Sequence, residues 1–598
     1  MILGDTFINT MEFELRPEEL DYQERAAREE KRLKENPNLT LGVLIEKLGF
    51  EYPDKKALFF GENSWTWSSI NDECNKIANL FLKLNIKNGD TISIMMENCP
   101  EYLFLIGGIN KVQGVSALIN VHQRKQALVH AFNLSSPEWI IVDGDNLPFL
   151  LEIKEDLLLG DDRILVCNAE GSTKNGLRDL NKELEGISVE NPNPRLKGNL
   201  REIALNIFTS GTTGLPKAVT LSNFKFMHVS IFGVLTLKLD IDDIIYIPQP
   251  LYHGLGLMVG CGGAVWRGAS IALRKRFSAS NFWKDIKKYN ATCTLYIGEI
   301  PRYLLNRPES EFVKDSPLRK MVGLGLKKDV WERFSSRFNV PHIVEYFGLT
   351  ESGGFVNVSG KPGMVGRNVF AGVHIVKVDR DTNEVLRTKQ GHCILCKPGE
   401  IGIVLVQVIP DDDFTGYKSK EATEKKLVYN VIEEGDVYFN TGDLLKLHED
   451  RWVSFVERSG DTFRWKGENV STSEVESIIK SFPNVLASVV YGVEIPGSEG
   501  KAGMAALTLQ DSGNFSLEDF AKFLVSSLPG YAIPIFLRIC QNLEVTGTFK
   551  LRKVTLKEEG FSPDKISDPL YVWNPKSKAL EKLTLNVYND IKKGNMIL

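Results

Sequence analysis

From Leu41 to about Asn430, short apolar runs alternate with longer segments of helical periodicity, and that alternation permits few folds. A strand buried on both faces reads as a continuous apolar run, and joining two such strands in parallel needs a crossover, usually a helix. TISIMM at 91–96 and IVLVQVI at 403–409 fit strands, and SSINDECNKIANLFLKL at 68–84 fits a helix. The pattern predicts α/β architecture with largely parallel sheets. At 598 residues the chain is too long for one small core, so two or more domains are expected.

The character of the chain changes near Arg458. Before it, DLLKLHEDRWVSFVER reads as two strands joined at His448 to Asp450. After it come SGDTFRWKGENVS and a helix opened by Ser473, with Glu476 three residues on to complete a capping box. VLASVVYGVEI, Ser516 to Ser527 and IPIFLRI continue as strand, helix and strand. An N-terminal domain over 1–458 and a small α+β domain over 459–598 are therefore expected, with Gly460 at the junction, where backbone rotation costs least. Residues 1–40 are a charged lead segment. Its stretch LRPEELDYQERAAREEKRLKENPN, at 15–38, reads as a solvated helix bounded by Pro17 and Pro37, with contact to a membrane surface as the lesser alternative.

A formal net charge of −5 leaves no basic excess to neutralise a nucleic-acid backbone, so no nucleic acid is expected as partner. Asp5 and Glu12 stand where a signal peptide would be basic or apolar, and eight scattered cysteines are thin for a disulfide scaffold. Both suggest a reducing, cytoplasmic setting. Cys393 and Cys396 have C-x-x-C spacing, but no second pair completes a zinc site. Ile244 to Trp266 contains no Asp, Glu, Lys or Arg, yet Pro248, Gln249, Pro250, His253 and many glycines suit a buried strand and pocket lining better than a membrane span.

FTSGTTGLPKAVTLS, at 208–222, is dense in groups that bind phosphate. Gly211 and Gly214 allow close backbone approach, Thr209, Ser210, Thr212 and Thr213 supply hydroxyls, and Lys217 adds a cation. A Walker A loop does not fit, because Pro216 and Ala218 occupy two of its fixed positions. Taken alone, the segment suits an ordinary turn between strands equally well.

Five further segments, LYHGLG at 251–256, EYFGLTE at 345–351, FNTGD at 439–443, ERSGDTFRWKGENVSTSEVE at 457–476 and TGTFKLRK at 546–553, complete an ordered set. From about residue 40 to the end, that set resembles the adenylate-forming superfamily of acyl-CoA synthetases, luciferases and peptide-synthetase adenylation domains. RKRFSASNFW, YIGEIPRYLLN and GDTFRWKGENV resemble its fatty acid transport protein subgroup, the very long-chain acyl-CoA synthetases. Individually the segments are weak: FNTGD suits a β-turn, Lys550 a surface lysine, His253 a satisfied structural histidine.

The resemblance implies a large N-terminal domain of sandwiched mixed sheets with a distorted β-barrel, and a small mobile C-terminal domain. It implies ATP, Mg2+ and coenzyme A as cofactors, a fatty acid as substrate, and acyl-AMP as the intermediate on the way to acyl-CoA. On this basis Thr209 to Lys217 hold the β and γ phosphates, Glu351 the magnesium ion, and Thr350 the α-phosphate. Phe347 stands where the family stacks adenine on a tyrosine, followed by Gly348. Asp443 takes the ribose hydroxyls, Arg458 reaches ribose or phosphate, and Gly467 reaches the pantetheine channel. His253 lies where the carboxylate meets the acyl tunnel, with Tyr296 to Glu299 as another wall, and Lys550 bridges carboxylate and α-phosphate.

Gly323-Leu324-Gly325-Leu326 lacks the asparagine usual before the adenine site, and the membrane-spanning start of animal transport proteins is not seen. Two alternatives stay open: a non-catalytic fatty-acid or membrane-surface carrier, and an adenylating enzyme that serves a carrier protein or uses a bile-acid-like carboxylate.

Overall fold

Parallel pairing dominates two sheets of the computed structural model, as the alternation requires. The structure describes residues 14–168, 177–192, 198–209, 216–305, 307–312, 315–348, 353–369, 372–379, 384–408, 417–458, 462–498, 500–510, 514–541, 554–596 and 598. One sheet runs in the order Arg178–Asp179, Ile164–Cys167, Trp139–Asp143, Thr91–Met95, Val115–Leu118, Ile203–Thr209 and Lys217–Ser222. The second runs Phe355–Asn357, His342–Phe347, Lys320–Leu324, Cys293–Ile297, Ile244–Ile247, Ser270–Leu273, Lys56–Phe60 and Asn63–Thr66. It is parallel inside and antiparallel at both edges. The predicted helix at 68–84 is Trp67–Lys83, capped by the Thr66 hydroxyl on the Ser69 amide, with Ile70, Ile77, Ala78 and Phe81 buried along one stripe.

A third, antiparallel sheet takes the order Gly366–Arg367, Trp452–Arg458, Val437–Leu447, Ile401–Gln407 and Val373–Val376, with Leu427–Tyr429 also on Val437–Leu447. It stands where a distorted barrel was expected, and among the described residues it is an open sheet.

By contacts the chain divides into two units. One holds Met1–Val121, Ala131–Phe208 and Ala218–Glu457; the other holds His122–His130, Thr209–Lys217 and Arg458–Leu598. In the second unit a sheet of Val485–Val493, Ala502–Leu509, Phe536–Cys540, Leu570–Asn574 and Ala579–Lys582 packs with the helices Thr472–Lys480 and Leu517–Ser527. Phe536 and Phe561 stack there with ring centroids 4.1 Å apart. The helix predicted to open at Ser473 opens two residues earlier. Ser471 is its cap, its hydroxyl accepting the Glu474 amide, while the Glu476 carboxylate accepts the Val490 amide of the neighbouring strand.

The lead segment corrects a second expectation. Its helix, Pro17–Lys34, is docked on the first unit, with Tyr22, Ala26 and Leu33 buried on one face. Glu19 pairs with Arg367 at 2.6 Å, both almost fully buried, and Arg367 also holds Asp450 at 2.9 Å. Arg16 meets Asp450 at 2.7 Å and lies over the Trp452 ring; Arg32 lies over Trp266, whose indole N–H donates to Glu29. A helix of mostly charged residues can bury itself when those charges find partners far along the chain. Among the described residues no helix is long and apolar enough to cross a membrane.

Candidate active site

FNTGD is neither a simple turn nor a regular strand. It lies inside Val437–Leu447, where the register with Ile401–Gln407 jumps: Ile403 pairs with Leu444 but Leu405 with Asn440. Thr441, Gly442 and Asp443 therefore face the single residue Val404, an extended bulge of the kind found beside active sites. The Thr441 hydroxyl donates to the Val404 carbonyl at 2.9 Å and accepts the Asp443 amide at 3.1 Å; Asn440 Oδ1 accepts the Gly442 amide. Gly442, at φ 78°, makes the left-handed step that a side chain would resist. The bulge holds Asp443 in a buried position, its carboxylate suited to accept from paired hydroxyls.

Phe347 ends the strand His342–Phe347 in a row of rings, 6.1 Å from Phe355 and 6.4 Å from the half-exposed Phe455. The face of an aromatic ring can receive a planar base. Two residues earlier is a group that sequence reasoning left without a role. Glu345, buried, accepts the amides of Gly325 and Leu326, and the Tyr296 hydroxyl donates to it at 2.7 Å. The carboxylate thus ties the Gly323–Leu326 segment to the Phe347 strand. A Cβ at Gly323 would meet the Tyr296 carbonyl at 2.0 Å, so glycine is required for that approach. The signal was present in EYFGLTE, but Glu345 and its partners are 20 and 49 residues apart.

Ile244 to Trp266 begins with the expected buried strand, Ile244–Ile247, and continues through a turn into an eight-residue π-helix, Leu255–Gly262. Such helices concentrate at functional sites. The helix Asn223–Thr236 meets this π-helix backbone to backbone at Gly233, where an added Cβ would lie 2.2 Å from the Val259 carbonyl. His253 stands just before this helix, part-buried, its ring 4.7 Å from that of Tyr252.

In the second unit Thr209 closes one strand and Lys217 opens its neighbour, so they mark the two ends of the phosphate-loop segment. His130 Nε2, 3.1 Å from the Pro216 carbonyl, must donate, because a carbonyl only accepts. Gly467, at φ 85°, follows Lys466, at φ 51°, in the hairpin between Thr462–Trp465 and Glu468–Ser471. Two successive positive φ angles make the tight, strongly twisted turn that matches strand twist, with Lys466 exposed at its tip.

Gly348 follows the Phe347 strand, and Arg458 ends the strand Trp452–Arg458. Ser210, Gly211, Thr212, Thr213, Gly214, Thr350, Glu351, Gly460 and Lys550 lie outside the described residues. Cys393 and Cys396 are buried free thiols, and among the described residues no His, Cys, Asp or Glu cluster could hold a metal ion. The first unit thus offers a ring and a carboxylate suited to a nucleoside, and the second a hydroxyl and an ammonium group suited to phosphate.

The family described as AMP-binding enzyme matches residues 46–407, and the AMP-binding enzyme C-terminal domain matches 474–550. Long-chain fatty acid transport protein 6 of Mus musculus is 40% identical over 90% of this chain and 88% of its own length. Medium/long-chain-fatty-acid–CoA ligase FadD6 of Mycobacterium tuberculosis is 34% identical, over 90% and 88%. Among solved structures, o-succinylbenzoate CoA synthetase of Bacillus subtilis, bound to a product analogue, shares the fold with a TM-score of 0.71 at 20% identity, over 86% of this chain and 98% of that one. The chain belongs to the AMP-binding enzyme family, in the branch of the long-chain fatty acid transport proteins.

Proposed function

We propose that the chain is an ATP-dependent ligase that converts long and very long-chain fatty acids to acyl-CoA. The observation that carries this reading is the nucleoside half-site, Asp443 on its bulge beside a sheet whose neighbour presents Phe347 in an aromatic row, in a chain of this family. A carboxylate oxygen attacks the α-phosphorus and pyrophosphate leaves; the coenzyme A thiolate then attacks the acyl carbonyl and AMP leaves. In the first step two anions approach each other, so oriented donors and cations must oppose charge that grows toward the transition state.

In this reading Phe347 stacks the base, Asp443 accepts from the ribose, and Arg458 reaches ribose or phosphate. Thr209, Lys217 and the segment between them bind the polyphosphate. Lys550 bridges the attacking carboxylate and the α-phosphate, and Thr350 donates beside it. A magnesium ion on Glu351 would neutralise phosphate charge, consistent with hard oxygen ligation. His253 orients the carboxylate at the mouth of the acyl tunnel. The domain division falls at 458, and after adenylation the C-terminal domain turns about Gly460 to bring Gly467 to the pantetheine. The setting is cytoplasmic, peripheral to a membrane that holds the water-insoluble acid.

The test is release of AMP and pyrophosphate with formation of the thioester, over acids of graded length, with free coenzyme A against a carrier-protein pantetheine as acceptor. Release that ignores the fatty acid, or thioester formed only on the carrier, overturns the reading.

A further inference from the structure

The ends of three strands, drawn from two sheets, meet at one side chain. Asn98 lies just past Thr91–Met95 of the first sheet, Gln249 just past Ile244–Ile247 of the second, and Arg274 just past its neighbour Ser270–Leu273. The carboxyl ends of parallel strands are where such sheets hold their ligands. Asn98, 2% exposed, donates through Nδ2 to the Gln249 carbonyl at 2.8 Å and to the Arg274 carbonyl at 3.0 Å, and its Oδ1 accepts the Leu251 amide at 2.8 Å. Both N–H groups and the oxygen of the carboxamide are thereby used, and two carbonyls and an amide as partners decide which end is nitrogen.

Asn98 is itself held firmly. The Glu97 amide donates to Asp143 at 2.8 Å, and Arg276 donates to the Glu97 carboxylate from Nε at 3.0 Å and from Nη2 at 2.6 Å. On its other side Pro100 opens the helix Pro100–Lys111. The bonds from Asn98 to Gln249 and Leu251 straddle Pro250, which has no N–H of its own. The Pro250 carbonyl accepts the His253 amide at 3.3 Å, and the His253 carbonyl accepts the Leu257 amide at 3.2 Å. The turn that carries His253 is thus anchored at its start by Asn98 and runs at its end into the π-helix. Gln249 Nε2 donates to the Leu295 carbonyl at 2.7 Å, so a chain without Asn98 keeps one tie on the turn and loses the tie at Leu251, two residues from His253.

We propose that Asn98 is a positioning residue of the ligase reaction proposed above, on which this inference rests. It sets the turn from which His253 orients the fatty-acid carboxylate, carrying the rigidity of the first sheet to a turn of the second. Asn98 acts through His253 and not on the substrate.

The test is a double-mutant cycle on acyl-CoA formation. Asn98→Ala and Asn98→Asp, the latter of equal size but with no N–H to offer the two carbonyls, are each made in the wild-type enzyme and in His253→Ala. In the wild-type background each is expected to lower kcat/KM for fatty acid by about 30-fold, as a small misplacement of an orienting group does, with the KM for ATP nearly unchanged. In the His253→Ala background the same changes should cost less than about threefold, because the group they displace is gone. Thermal unfolding checks that each variant folds. Equal losses in both backgrounds, a matching rise in the KM for ATP, or a folded Asn98→Asp as active as the wild type overturns the inference. Absence of thioester from any acid sinks the ligase reading instead, and unchanged fatty-acid kinetics in His253→Ala remove the histidine from it and Asn98 with it.

Discussion

The two units carry their functional groups in opposite ways. In the first, Asp443 is set by a bulge whose every step is hydrogen-bonded, and the Phe347 strand is tied to the Gly323–Leu326 segment through buried Glu345. In the second, a buried core that includes Phe520 and Phe536 is flanked by the part-buried rings Phe482, Phe515 and Phe523, and Arg538 grips Glu559 and Asp568. Its Lys466–Gly467 turn is left at the surface. On the reading proposed above, the groups that hold the nucleotide are built in, while Gly467, which is to reach the pantetheine, sits on a surface turn.

The largest effect should come from the arriving group. Lys550→Ala is expected to slow fatty-acid-dependent ATP–pyrophosphate exchange by about 1,000-fold, the range for one charge that acts on the transition state. Thioester formation from preformed acyl-AMP should fall far less, because the lysine has no part in it. Equal losses in both half-reactions would break the contrast. Gly467→Leu should show the reverse pattern.

Next comes the framework of the first unit. Arg367→Ala removes the partner of buried Glu19 and leaves that carboxylate inside, at a cost of about 3 kcal/mol in the unfolding of this unit. Arg16 beside Asp450 also holds that carboxyl below its usual range, so the latch loosens further in acid as Asp450 protonates. An unchanged unfolding midpoint in denaturant would mean that the lead helix is an appendage.

Asp443→Ala should raise the KM for ATP by about 30- to 100-fold, as expected for a buried acceptor that loses two hydrogen bonds to a ligand, and leave the KM for fatty acid nearly unchanged. A matching rise in both would assign Asp443 to the frame and not to the ribose.

The sequence made the α/β alternation and the motif positions legible because both are local. Trp67–Lys83 follows from its own apolar stripe, and Phe347 and Asp443 from short motifs. What escaped is long-range or hangs on small geometry. The lead helix reads as solvated because its buried stripe holds only Tyr22, Ala26 and Leu33 as apolar residues beside Glu19 and Glu30, and its anchors, Arg367 and Asp450, are hundreds of residues away. FNTGD looks like a turn until its partner strand shows the register jump. Ser471 and Ser473 are equally good caps on paper, and only the strand end at Ser471 chooses between them.

The smallest effect tests whether the second unit tolerates strain of its own. Glu474, the third residue of its helix, bonds the Ser471 hydroxyl through its amide, and burial raises its carboxyl to about 7. A helix N-terminus favours the ionised acid, so desolvation has outweighed the dipole. The folded state therefore holds a proton that the unfolded chain, with its ordinary carboxyl near 4.5, has released. Stability contributed by that proton is complete below about pH 4.5 and is lost as pH rises through about 7. Glu474→Gln should flatten this part of the pH profile and raise stability above neutral pH by about 1–2 kcal/mol, less than the full shift because the group is partly solvated. Thermal unfolding at about pH 5 and 8 reads the difference. A variant that gains as much at pH 5 as at pH 8 would show that Glu474 acts through packing, and the small unit would then be as fully compensated as the large one.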